Sequence, residues 1–396
     1  MHYSLKLLVS TFVLAACGQA LAAPIELAPE QPPAATPTAT PIPAAAPAAE
    51  ITVPAHSYGV ELQGFAYPHP QLHYGFRSQG RSVQMTYMDV APQKTANGQT
   101  VVLLHGKNFC GATWDDSITA LSHAGYRVVV PDQIGFCASS KPVSYQYSFQ
   151  QLAENTHALL KQLKIERSIV IGHSTGGMLA TRYALMFAQE TAQLVLINPI
   201  GLEDWKALGV PYRTPDQWYA RELKLNADGI RSYEKSTYYV NRWKPEYEKW
   251  VDMLAGLNAG PGHELVARNS AMIYDMIFTQ PVYYEMPLLQ VPTLLMIGTA
   301  DTTAIGSDIA SPEVKAKLGH YDVLGKQAAQ RIPHARLIEL PGQGHAPMME
   351  DPVTFNQKLL AALPAVVSAP SSASTKSPMR EHDTEAVPAA AISPVR

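Results

Sequence analysis

The chain has 396 residues, a formal net charge of −3 and only 16% charged residues. With no long basic run, it is not an electrostatic nucleic-acid binder, and small molecules are the expected partners. Its length suits one large α/β domain carrying an insertion, because such folds often run past about 250 residues as a single unit.

At the start, Lys6 precedes the apolar run from Leu7 to Ala16, too short for a lasting bilayer anchor, so residues 1–22 read as an export signal. Two cleavage patterns are present. Leu14-Ala15-Ala16-Cys17 resembles a lipobox, which would leave an acylated Cys17 as a lipid anchor on a membrane surface. Ala20-Leu21-Ala22 fits an ordinary signal-peptidase site, which would release the protein into the periplasm or the medium. Residues 23–56 are dominated by Pro, Ala and Thr and read as a linker, and residues 364–396 repeat the bias as a disordered tail. The folded body is therefore 57–363, without internal repeats.

In that body, Val83–Asp89 alternates as a half-buried strand. Val101–Leu104, Arg127–Val130, Ser168–Ile171, Leu194–Ile197 and Thr293–Ile297 are short apolar runs of the kind buried on both faces. Helical patterns lie between them. The clearest starts at Ser148, where Ser148 and Gln151 can form a capping box and Phe149, Leu152, Leu159, Leu160 and Leu163 recur at helical spacing. Alternation of strand and helix predicts a doubly wound, mostly parallel sheet. It breaks between 199 and 290, where no strand is evident and aromatic residues are dense. We read 57–198 and 291–363 as two parts of one α/β core and 199–290 as an inserted helical cap, some of whose aromatic side chains should face a ligand.

The run Ser168-Ile-Val-Ile-Gly172-His173-Ser174-Thr175-Gly176-Gly177 passes from strand through Gly-x-Ser-x-Gly into a helix-forming segment. That order defines a nucleophile elbow, whose small residues permit a sharp reversal with the serine exposed at its apex. A serine hydroxyl needs a base and an orienting acid. Cys110 and Cys137 fall on loops after neighbouring strands. A disulfide and a pair of buried thiols are both open readings.

With His105-Gly106, Asp132-Gln-Ile-Gly135-Phe-Cys-Ala-Ser139-Ser-Lys-Pro142, Gly298-Thr-Ala-Asp301 and Gly342-Gln-Gly344-His345-Ala-Pro, the elbow completes five motifs in an order that resembles the α/β-hydrolase superfamily, its capped serine-dependent members in particular. The resemblance implies an α/β-hydrolase fold with a helical cap. It also implies catalytic residues: Ser174 as nucleophile, His345 as base and Asp301 as orienting acid, with Asp308 as a nearby rival to Asp301. The oxyanion would be held by the backbone N–H groups of Thr175 and Lys107, or of Asn108 in place of Lys107. His173 reads as a packing residue. The 44 residues from Asp301 to His345 exceed the simplest pattern, so an added loop near 305–318 is expected at the site entrance. Serine rather than aspartate at the elbow disfavours epoxide-hydrolase and dehalogenase chemistry. Nucleotide-binding and zinc motifs are absent, and no cofactor is implied. The expected activity is that of an exported serine hydrolase cleaving an ester-like bond of a small or medium hydrophobic substrate through an acyl-enzyme. Cleavage of a C–C or amide bond by the same residues, and a non-catalytic ligand sensor on the same fold, are the alternatives.

Overall fold

The computed structural model describes residues 56–363. The expected export signal, Cys17, the linker up to residue 55 and the tail lie outside the described residues. Eight strands form one sheet: β1 (Leu72–Ser78), β2 (Arg81–Val90), β3 (Thr100–Leu104), β4 (Arg127–Pro131), β5 (Ser168–His173), β6 (Thr191–Ile197), β7 (Thr293–Gly298) and β8 (Ala335–Leu340). Their order is β1-β2-β4-β3-β5-β6-β7-β8. β1 and β2 form a hairpin across Gln79 and Gly80, both at positive φ as a two-residue primed turn requires. β2 runs antiparallel to β4, and every later pairing is parallel.

Strand period sorts the apolar residues onto two faces. Val102, Leu104, Val170, Leu196 and Leu295 belong to one buried cluster, while Val101, Leu103, Ile169, Ile171, Val195 and Met296 belong to the other. Helices α2 (Phe149–Gln162), α3 (Thr175–Met186) and α9 (Tyr321–Arg331) pack on the first face. α1 (Asp115–His123) and α11 (Pro352–Ala362) cover the second. The intervening short helices are α8 (Pro312–Lys315) and α10 (Pro347–Glu350). No helix of the described residues is long and apolar enough to cross a membrane.

α2 is capped by the Ser148 side chain, which accepts from Gln151 N, but the expected reciprocal bond is missing. The Gln151 amide instead donates to Asn155 Oδ1 at 3.0 Å, because a helical neighbour four residues on is within easier reach. Between β6 and β7 lie only helices: α4 (Pro215–Glu222), α5 (Ala227–Tyr233), α6 (Glu248–Asn258) and α7 (His263–Thr279), with a π-turn over Glu234–Tyr238. The segment around 305–318, expected as an entrance loop, holds α8 and packs on the base of this helical region. A Cβ added to Gly306 would lie 2.6 Å from Val210, and Arg213 pairs with Asp308 at 2.9 Å.

The chain direction fixes where a ligand belongs. From β3 it moves to β4 on one side, then crosses back to β5 on the other, so the loops ending β3 and β5 diverge at the sheet's carboxyl edge. Open α/β sheets bind their ligands at this switch point.

Candidate active site

Ser174 follows β5 directly and is followed at once by α3, with φ 55° and ψ −122°. A non-glycine residue in that region is strained and is held there by its surroundings. Here the constraint is contact. A Cβ on Gly172 would lie 2.1 Å from the Gly176 carbonyl oxygen, and one on Gly176 would lie 2.2 Å from the Leu104 carbonyl oxygen. Helix and strands approach so closely that only glycine fits at either position. Ser174 is 6% exposed. Thr175 opens α3, where the first N–H groups lack intrahelical acceptors and the helix dipole favours negative charge.

His345 precedes α10 and Asp301 follows β7, 44 residues apart, yet His345 Nδ1 donates to Asp301 Oδ2 at 2.7 Å with both side chains fully buried. The other imidazole nitrogen, Nε2, is buried without a hydrogen-bond partner among the described residues. Asp301 is otherwise saturated. Its Oδ1 accepts from Thr303 N at 2.8 Å and Thr303 Oγ1 at 2.7 Å, and its Oδ2 accepts also from Asn198 Nδ2 at 2.9 Å. Asn198 is itself clamped to Gly298 at both ends of its amide. The rival carboxylate, Asp308, pairs with Arg213 instead.

His173 bridges the two halves of the site. Its Nε2 donates to the backbone carbonyl of His345 at 2.7 Å, and the two rings lie 4.9 Å apart. Burial, followed by the neighbouring His345, holds its pKa well below the usual histidine range, so it packs as a neutral ring. From the cap, Tyr238 stacks on the His345 ring at 4.9 Å, accepts from His345 N through its carbonyl, and accepts from Asn108 Nδ2 at its hydroxyl.

The loop after β3 is fixed by His105, buried and neutral because burial lowers its pKa. It donates from Nδ1 to the Gly106 carbonyl and accepts at Nε2 from Gln133 N. Gly106 abuts the elbow: a Cβ there would lie 2.9 Å from Ser174 Cβ. Lys107 comes next. Its ammonium pairs with Glu222 of α4 at 3.3 Å and lies 3.8 Å above the Tyr274 ring, linking this loop to the cap. Further along, Cys110 is disulfide-bonded to Cys137, which joins the loop after β3 to the loop after β4. Asp132 braces both, accepting from Gly111 N at 2.7 Å and from Ala138 N at 3.1 Å.

A cavity of about 350 Å³ lies among α4–α7 and these loops. Lys107 and Asn108 line it; Ser174 and His345 do not. Of the cap aromatics expected to face a ligand, Tyr233 lines it, joined by Tyr274. Most others stack on one another, as Tyr239 does on Tyr247 at 3.7 Å.

Asn198, Thr303 and Tyr238 were not anticipated from sequence. Asn198 directly follows a buried strand, a position where a polar residue invites attention, but its partner lies about a hundred positions away.

A doubly wound sheet with a strained serine at its switch point, and a buried Asp–His pair tied through His173 to the strand that carries the serine, defines a capped hydrolase fold. The family model for the alpha/beta hydrolase family matches residues 101–358, and the chain belongs to that family. It is similar to a probable hydrolytic enzyme from Pseudomonas aeruginosa PAO1, whose crystal structure shares 57% identity and a TM-score of 0.78 over 78% of this chain and 99% of that one. A candidate non-heme chloroperoxidase of Synechocystis is 34% identical, matching 65% of this chain and 89% of its own length. Lipase 1 of Psychrobacter immobilis is 27% identical, with 64% and 73% covered. The chain is thus a hydrolase of this family.

Proposed function

We propose that the protein is an exported serine hydrolase that cleaves ester-like bonds of small or medium hydrophobic substrates. Ser174 Oγ attacks the carbonyl carbon as its proton passes to His345 Nε2, and Asp301 steadies the resulting imidazolium. The tetrahedral oxyanion is held by the N–H groups of Lys107 and Thr175. Collapse expels the alcohol, which takes the proton from His345 and leaves an acyl group on Ser174. His345 then deprotonates a water that attacks this ester, releasing the acid and restoring the serine.

The observation that carries this reading is an imidazole anchored to a saturated, buried carboxylate while its far nitrogen is left without a partner. The packing residue His173 also has an unpartnered ring nitrogen, but its other nitrogen rests on a backbone carbonyl, whereas His345 rests on a carboxylate that can balance the charge of a proton taken up at Nε2. The test is covalent labelling. A fluorophosphonate should modify the wild-type protein at Ser174, with the label lost in Ser174→Ala, and turnover of 4-nitrophenyl esters should fall in that variant by about 10⁴-fold or more. An unlabelled native protein, or a Ser174→Ala variant with near-normal turnover, sinks the reading. Amide and C–C substrates, the alternatives open to the same residues, belong in the same assay.

Export is supported by the amino-terminal pattern and by the Cys110–Cys137 bridge, since disulfides persist in oxidising compartments. Incorporation of labelled fatty acid, abolished in Cys17→Ala, distinguishes a lipid-tethered protein from a freely soluble one.

A further inference from the structure

The cavity walled by α4–α7 is unusual in its charge. Four cationic side chains line it, Lys107, Lys141, Arg221 and Lys224, against two acidic ones, Glu222 and Glu234. Glu234 does not offset the excess, because burial pushes its carboxyl up to about 8 and keeps it protonated at neutral pH. Glu222, the other acid, is shared between two of the cations. Arg221 reaches its Oε1 at 2.8 Å, Lys107 reaches its Oε2 at 3.3 Å, and Ser270 Oγ donates to the same oxygen. Neither cation has another ion pair among the described residues; Asp308, the next acid near Arg221, is paired with Arg213. Lys141 donates to the carbonyls of Cys137 and Ser139; burial lowers its ammonium to about 8, against the opposing pull of Asp132 and Glu61, so it is the weakest of the four cations near neutral pH.

Much of the remaining lining is aliphatic, from Leu225, Ile230, Leu254, Leu257, Val266 and Ile273. Positive charge in surplus beside such side chains is poorly solvated and favours entry of an anion. Lys107 adjoins Gly106, where an added Cβ would lie 2.9 Å from Ser174 Cβ, so the cavity lining begins one residue from the point of contact with the elbow.

We propose that this cavity receives a substrate bearing a carboxylate, held between Lys107 and Arg221 with its hydrocarbon portion against the aliphatic lining. The guanidinium fork suits a planar carboxylate, and the volume suits a small molecule rather than a long acyl chain. This inference rests on the serine-hydrolase reading for its turnover, but not for its binding.

The test uses matched pairs that differ in one charge: 4-nitrophenyl hydrogen adipate against 4-nitrophenyl methyl adipate, and 4-acetoxybenzoate against methyl 4-acetoxybenzoate. Binding is measured by calorimetry in a Ser174→Ala background, and hydrolysis with wild-type protein. In at least one pair the anion should bind tenfold or more tightly than its neutral partner, with a preference that shrinks as NaCl is raised. Arg221→Met should cut that preference at least fivefold. Glu222→Gln, which frees both cations, should increase it; a purely structural role would not give these opposite signs. Equal binding of both members of both pairs, or an Arg221→Met variant with unaltered preference, overturns the proposal. Charge-selective binding without hydrolysis would instead sink the hydrolase reading and leave the anion site standing, whereas hydrolysis without charge selectivity does the reverse.

Discussion

Asp301 receives four hydrogen bonds, two of them from Thr303 and one from Asn198, so its carboxylate cannot rotate away from the imidazole it anchors. Thr303→Val removes one donor while keeping side-chain shape. One hydrogen bond to a charged acceptor is worth about 1.5 kcal/mol or more, so kcat should fall about tenfold with little change in KM. A kcat equal to that of the wild type would show that Thr303 matters only for packing.

Glu234 offers a second residue-level test. Burial raises its pKa from 4.5 to about 8, the nearby Glu248 adds to the rise, and Arg231 opposes it. Both carboxyl oxygens are buried without partners among the described residues. Above pH 4.5 the unfolded chain gives up this proton while the folded chain keeps it, so the stabilisation is complete below pH 4.5 and is lost as pH rises towards 8. Denaturant midpoints for the wild type should therefore decline from pH 5 to 8 relative to Glu234→Gln. Parallel curves for the two proteins would refute the assignment.

At the scale of elements, the inner strands were readable because burial on both faces leaves uninterrupted apolar runs, as in Ile169–Ile171. β1 and β8 were missed. β1 is an edge strand with exposed Leu72 and alternating aromatic and basic residues, and β8 mixes Arg336 and Glu339 into a half-buried ladder, so neither shows the continuous pattern. The elbow and histidine loop were readable since their constraints are local in sequence. Asn198 and Tyr238 were not, because their roles exist only once distant segments meet. Ser148→Ala should cost about 1 kcal/mol, seen as a lower denaturant midpoint. Gln151→Ala should leave the cap intact, since its amide serves Asn155 instead.

Across the whole molecule, the Cys110–Cys137 bridge closes a loop of 27 residues in sequence and joins two of the segments around the cavity. In a chain-entropy account, a loop of that size contributes roughly 3–4 kcal/mol by restricting the unfolded state. Reductant should lower the denaturant midpoint of the wild type accordingly and leave a Cys110→Ala, Cys137→Ala double variant unmoved. Titration of unfolded, unreduced protein should find neither of these two thiols free.

Tyr238 belongs to the inserted helical segment, yet its ring and its carbonyl both rest against His345 of the core. Exchanging that segment for one from a relative would therefore strip a wall from the proposed reaction centre as well as reshape the vestibule. Chimaeras that retain the stretch Glu234–Tyr238 should remain active where complete swaps fall silent.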